Sequence, residues 1–392
     1  MPHKKTIYLD NASTTPVREE VLKAMMPFFS LHYGNPASLH TEGRIAQKAL
    51  TDSRKKISDS IGSQPDTIIF TSGGTESNNL AIFGLEETSK GSGRHLISIS
   101  SEHHSVLMPL KQLEKAGWSV TYLQTDKNGL LDPDDVLKAI TGETVLITVM
   151  YANNEIGTVL PIAEIGKRLL QYRKAHNSEL PYFHTDACQA AGYLDLNVEK
   201  LHVDLMTLNS GKIYGPKGVG MLYVRRGVKI ETQQFGGLQE HGRRAGTENI
   251  PGIVGLATAL ELAQKDKNKE AARLTKLTNY FWKHLKKNVP EAVLNGPQIG
   301  EERLPNNLSV TFPGMDGEQL LIYLDHEGVM CSTASACASI SDEPSHVLCA
   351  LQIAEQDIRS TLRFSLGRST TKQDIDYTIQ AIRKIKKLLP SR

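Results

Sequence analysis

Apolar and polar positions along the chain fall into two textures. From about residue 66 to 225, short β-branched runs alternate with helical stretches. The pattern predicts strands at 67–70, 95–100, 120–123, 144–150, 182–186, 204–208 and 219–224. It predicts helices opening at 75–81, over 105–116 (ending at Gly117) and over 162–175. The 144–150 run is apolar without alternation, which marks a central strand covered on both faces. Strand–helix alternation of this kind predicts an α/β sheet, mostly parallel, with helices on both faces. After Pro251 the texture changes. A long helical pattern covers 252–288, followed by a strand (307–312), a helix (317–326), strands at 329–332 and 362–366, and a last helix (372–389). This predicts a second, smaller α+β domain, with the long helix as the hinge.

Composition narrows the class. The chain has 392 residues, enough for two domains. It is 39% hydrophobic and 22% charged, as expected of a globular protein in water. A net charge of +2, from 45 basic and 43 acidic residues, gives no field that would gather nucleic acid. No apolar run approaches the ~20 residues of a membrane helix, and no apolar stretch follows the basic N-terminus as in a signal peptide. The four cysteines, Cys188, Cys331, Cys337 and Cys349, form no C-x-x-C pair. A reducing cytoplasm is therefore the expected compartment.

The chemistry-bearing residues cluster after strands, where open α/β sheets bind ligands. Ser72-Gly73-Gly74-Thr75 follows a strand and opens a helix. Its N–H groups and hydroxyl could hold a phosphate, or the motif is a glycine turn with a threonine cap. Asp186 ends another strand and could face a protonated pyridine nitrogen, with Gln189 reaching a ring hydroxyl. Glu102-His103-His104 follows a third strand. A neutral imidazole there could stack on a flat ring or move a proton. The adjacent histidines lack H-E-x-x-H spacing, and no metal site is expected. Asn153-Asn154-Glu155 forms a polar tip after the most buried strand. Arg363 is a charge inside an apolar strand and needs a carboxylate partner, structural or substrate. Lys212, in Asn209-Ser210-Gly211-Lys212, has an amine able to hold a carbonyl cofactor as a Schiff base. Cys337 lies among small residues, Ala334-Ser335-Ala336-Cys337-Ala338-Ser339, and its thiolate could attack sulfur on an activated substrate.

Taken together, these motifs change the reading. With Tyr8-Leu9-Asp10-Asn11-Ala12, Gly34-Asn35-Pro36-Ala37-Ser38, Gly246-Thr247-Glu248-Asn249 and Pro344-Ser345-His346-Val347-Leu348, they run nearly end to end. The chain resembles the NifS/IscS-type cysteine desulfurases, pyridoxal-phosphate enzymes of the aminotransferase fold type I. The long segment between Cys337 and Arg363 is similar to that group rather than to SufS-like relatives. The resemblance implies a large cofactor-binding domain over 16–260 and a small domain over 1–15 and 261–392 carrying the catalytic cysteine loop.

It also implies roles. Lys212 would hold the cofactor covalently, Asp186 would pair with its ring nitrogen and Gln189 with its ring oxygen. His103 would stack on the ring and shuttle protons. Gly74, Thr75 and Asn209 would lie at the phosphate, reached also by Thr247 of a second copy in a homodimer. Asn154 and Arg363 would hold L-cysteine, with Asn35 a further substrate residue. Cys337 would take the sulfur as a persulfide, leaving L-alanine, and pass it on a mobile loop to an acceptor protein for iron–sulfur cluster assembly or thiolation. Cys331, Cys188 and Cys349 read as core residues. The chain departs from the family's Ser-x-His-Lys at Asn209 and Gly211, which bears on cofactor affinity, and from its Gly-Ser-Ala-Cys at Ala334. Three other readings stay open: a selenocysteine lyase, another lyase or aminotransferase of the same fold, and a non-catalytic scaffold relative.

Overall fold

The structure, a computed structural model, describes residues 6–88, 91, 93–300, 302–333 and 344–388. Cys337 and the rest of 334–343 lie outside the described residues. Thirteen strands are assigned among the described residues: β1 (Ile7–Tyr8), β2 (Ile68–Thr71), β3 (His95–Ile99), β4 (Ser119–Leu123), β5 (Thr144–Thr148), β6 (Tyr182–Asp186), β7 (Leu205–Asn209), β8 (Gly220–Val224), β9 (Val293–Leu294), β10 (Asn307–Thr311), β11 (Val329–Met330), β12 (Ser332–Thr333) and β13 (Thr361–Ser365).

Seven strands form the central sheet in the order β2-β8-β7-β6-β5-β3-β4. β8 runs antiparallel to both neighbours, and the other pairings are parallel. Alternate residues of each strand face opposite sides. Ile97, Ile147, Phe183, Met206 and Met221 point into one apolar cluster, shared with the Thr41–Ile61 and Ile162–Ala175 helices. Leu96, Leu146, Leu205 and Leu222 point into another, shared with the Gly74–Thr88 and His104–Lys115 helices. β5 is buried along its whole length, as its unalternating sequence predicts.

A four-stranded sheet, β12-β13-β10-β9, lies over a separate cluster built by Leu308, Val310, Phe312, Leu362 and Phe364 with the Lys372–Lys386 helix. Its pairings are antiparallel. β1 joins this cluster through Ile7 and pairs parallel to β11. The Ile250–Asn288 helix runs from one core to the other. Its first turns bury Ile253, Leu256 and Leu260 in the large cluster, and its later turns bury Leu274, Phe281 and Leu285 in the small one.

Two of the larger departures from the sequence pattern bear on the fold. The 329–332 run splits into β11 and β12, which join different sheets. The 21-residue helix Thr41–Ile61 has no counterpart in the predicted elements. Its buried stripe includes Gly43, Ser53 and Ser58 beside Ala46, Leu50, Ile57 and Ile61, so its apolar periodicity is diluted. Gly62 ends it in the left-handed conformation, at φ 69°.

Phe281 is fully buried and meets the Phe364 ring edge-on, with centroids 5.2 Å apart. Phe281→Ala removes this contact and leaves a cavity. It is expected to cost about 3–5 kcal/mol, read as a lower urea midpoint and melting temperature.

Candidate active site

The parallel strands end on one side of the sheet, and a cleft opens there. It is lined by Gly74 and Thr75 after β2, His103 and Ser105 after β3, Asn154 and Glu155 after β5, Asp186, Cys188 and Gln189 at the end of β6, and Asn209 and Lys212 after β7. Ala12, Ser13 and Arg363 of β13 close it from the small-sheet side. Ligand binding at the carboxyl ends of parallel strands follows from this topology.

Several polar groups in the cleft are held in place. Asp186 accepts from the backbone N–H of Cys188 on Oδ1 (2.9 Å) and from Asn78 Nδ2 on Oδ2 (2.7 Å). Lys212 Nζ donates to the carbonyls of Ala12 (2.9 Å) and Ser13 (2.6 Å), and Gln189 Nε2 donates to the same Ala12 carbonyl (2.9 Å). Asn209 Oδ1 accepts from Gly211 N–H and caps the short 3₁₀ turn that carries Lys212. Arg363 donates to Asp10 Oδ1 (2.8 Å), Ser13 Oγ (2.7 Å) and the Asn154 carbonyl (3.0 Å). The carboxylate partner expected for this buried arginine is thus Asp10, while Arg363 still lines the cleft.

Burial sets the protonation states. It pushes the His103 pKa down, against the opposing pull of Asp186. Glu155, buried at the cleft wall, is pushed up to about 7 by desolvation, although the Ser345 hydroxyl donates to it. Glu102, fully buried behind His103, is raised well above the carboxylate range by burial and then by the Asp186 charge. It accepts from Met150 N–H, and its other oxygen has no partner among the described residues. The Cys188, Cys331 and Cys349 thiols are all pushed up, chiefly by desolvation, although Cys349 is exposed rather than the core residue the sequence suggested.

Of the residues singled out from the sequence, Lys212, Asp186, Gln189, Gly74, Thr75, His103, Asn154, Asn209 and Arg363 line this one cleft. Thr247 does not: it is exposed and lies with Ser72, Glu240 and Arg244. Asn35 is exposed and outside the cleft lining; its side-chain oxygen accepts from the local Ala37 N–H and its carbonyl from the Ser38 N–H. Cys337 lies outside the described residues. Sequence reasoning missed Asn78 and Ser105, while Glu155, placed by the sequence in the polar tip after the most buried strand, does line the cleft. Asn78 did carry a signal, since it stands four residues after Gly74, one helical turn along the same face.

Comparison with known proteins agrees with this geometry. Residues 7–378 match the family model of the class-V aminotransferases. A cysteine desulfurase IscS of Dictyoglomus turgidum is 47% identical, over 97% of this chain and 95% of its own. A solved NifS-like protein superposes with a TM-score of 0.91 at 34% identity, covering 98% of this chain and 100% of that one. The structure of SspA in complex with cysteine gives 0.78 at 36% identity, over 92% and 99%. The chain belongs to the class-V aminotransferase family. Its fold is the type I fold of that family, whose members depend on pyridoxal phosphate.

The residues fit that cofactor. Its phosphate suits the N-terminus of the 15-residue Gly74–Thr88 helix. A Cβ on Gly74 would sit 2.9 Å from Cys188 Sγ and 3.6 Å from Asn209 Cβ, so only glycine leaves this cradle open. Asp186 suits a protonated ring nitrogen, and the Lys212 amine suits the aldehyde.

Glu155 gives a pH test. Its carboxyl titrates higher in the folded chain (about 7) than the ordinary value of 4.5, so the folded state keeps a proton that the unfolded state has lost. Stability therefore falls as pH rises from 4.5 to 7, by roughly 3 kcal/mol, and is flat in this respect above that. Glu155→Gln is expected to remove that loss, which melting temperatures of the two proteins from pH 5 to 8 would reveal.

Proposed function

We propose that the protein is a cysteine desulfurase that moves sulfur from L-cysteine to Cys337 as a persulfide, releases L-alanine, and passes the sulfur to an acceptor protein. The observation that carries the reading is the convergence of Lys212, Asp186, His103 and Arg363 on one cleft. The likeness to a curated cysteine desulfurase and to a structure holding cysteine supports the substrate.

Bound pyridoxal phosphate supplies an electron sink for the substrate's α-carbon. The chain does the rest. Gly74, Thr75 and Asn209 hold the phosphate, and Asp186, fixed on both oxygens, keeps the ring nitrogen protonated. Gln189 contacts the ring oxygen. Arg363 and Asn154 orient the substrate carboxylate, and Asn35 is kept as a substrate residue only if it reaches a second copy's cleft. Lys212 and His103 are the acid–base pair at the α-carbon. The Cys337 thiolate attacks the substrate sulfur, and the carbon–sulfur bond breaks with its electron pair going to carbon. The net exchange is L-cysteine plus thiol to L-alanine plus persulfide. The three described cysteines have thiols held protonated, which makes them poor nucleophiles and favours Cys337.

The reading includes a homodimer in which Thr247 reaches the phosphate of the second copy. Its exposure and its distance from its own cleft lining favour this. So do Phe235 and Leu238 on the same segment, 86% and 87% exposed, too apolar to face water at no cost. A division at 16–260 against 1–15 plus 261–392 is supported by the apolar clusters, which change over between Leu260 and Leu274. No described helix is long and apolar enough to cross a membrane. Cytoplasmic location and an acceptor in cluster assembly or thiolation complete the proposal.

The test is alanine and sulfide release from L-cysteine with a thiol reductant. Equimolar products are expected from the wild type. Cys337→Ser is expected to lower both by at least about 100-fold while the cofactor colour stays. Full turnover by the variant would overturn the role of Cys337. No turnover by coloured wild type would overturn the reaction.

A further inference from the structure

Between Asp186 and His103 lies a chain of hydrogen bonds that the proposed reaction does not use. Asn78 is fully buried and Ser105 nearly so. Asn78 Nδ2 donates to Asp186 Oδ2 (2.7 Å) and to Ser105 Oγ (2.8 Å). Ser105 Oγ lies 2.8 Å from His103 Nδ1, and the Ser105 backbone N–H donates to the same nitrogen (3.1 Å).

The direction of every bond in this chain follows from its ends. The Asp186 carboxyl oxygen accepts from Asn78, so the amide presents Nδ2, not Oδ1, to Asp186. The cost of that orientation is visible, because Asn78 Oδ1 has no partner among the described residues. Ser105 Oγ accepts from Asn78, so its own hydrogen is free for Nδ1. A backbone N–H only donates, so Nδ1 of His103 is a lone-pair acceptor. Two donors on Nδ1 leave the proton of the neutral ring on Nε2.

We infer that Asn78, acting through Ser105, is a positioning residue that holds His103 Nδ1 as an acceptor and so fixes the imidazole as its Nε2–H tautomer. In that state His103 offers a proton. The α-proton is then taken by the Lys212 amine, and His103 serves as the donor later in the cycle. The inference deepens the desulfurase reading for that assignment, but the tautomer itself does not depend on it.

The charged and titratable groups around the ring are Asp186, Lys212, His104 and His346, with Glu102 buried behind it. None of them is altered in the test. Histidine ¹⁵N spectra of the holoenzyme, with His103 assigned by His103→Gln, read both tautomer and pKa. The wild type is expected to show Nε2–H with an unprotonated Nδ1. Ser105→Ala and Asn78→Ala each weaken donation to Nδ1, which favours the imidazolium. The His103 pKa is expected to rise by about 0.5–1 unit in each, with Ser105→Thr restoring it. The pH profile of kcat for alanine release should move by the same amount.

An Nδ1–H tautomer in the wild type, or an unchanged pKa in both alanine variants, overturns the inference. Should Asn78→Ala fail to fold, the wild-type tautomer and Ser105→Ala still decide it. The expected spectra from a protein that releases no alanine from L-cysteine would support the tautomer assignment and sink the reaction instead.

Discussion

The segment over residues 10–15 ties the two halves of the site together. On one side Asp10 pairs with Arg363, and the Ala12 N–H donates to Ser365 Oγ at 2.8 Å. On the other, the Ala12 carbonyl receives both Lys212 and Gln189, and Thr15 bonds the Gly211 carbonyl and the Tyr214 N–H. A short strap with a turn at residues 11–13 therefore sets the distance between the guanidinium of the small sheet and the amine of the large one. A displacement of about 1 Å in such a pairing can cost 100-fold in rate. The buried arginine is compensated within the strap itself, so the strap and β13 stand or fall together.

Burial is the second organising force. The cleft wall holds Glu155, and Glu102 lies buried behind it; the proton affinity of both carboxyls is raised by desolvation. The wall also holds Asp186, whose oxygens each accept a bond from a fixed donor. The Glu155–Ser345 bond, and the bond from His346 Nε2 to the Glu102 carbonyl (2.7 Å), attach the segment that follows residue 343 to this wall. Val347, Leu348 and Leu351 back them up against Ile156. The described chain after Cys337 is therefore anchored directly beside His103 and Asn154.

The two departures in the lysine motif have different consequences. Asn209 caps the turn that carries Lys212, work that its amide oxygen performs in place of a hydroxyl. Gly211 has room: an added Cβ would sit 3.6 Å from its nearest neighbours, an ordinary contact. Nothing in the turn requires glycine there, so the backbone that presents Lys212 does not depend on it.

Much of this was legible in the sequence. Period-two and unalternating apolar runs located the strands of the central sheet, because side-chain burial in a strand is a local property of the chain. Polar residues directly after those runs marked the site for the same reason. Contacts between distant segments were not legible. Asn78, Ser105 and Asp186 meet because the β3, β5 and β6 strands lie side by side and the Gly74–Thr88 helix packs over their ends. Arg363 meets Asp10 only because the first residues of the chain return to the small sheet. Protonation was out of reach as well, since the shifts of Glu102, Glu155 and His103 come from the depth of burial that assembly creates. The sequence by itself determined which residues sit at strand ends and what chemistry they carry. The tertiary structure decided which of them share a cleft, which stay outside it, and where their protons rest, because those depend on packing and desolvation across the fold.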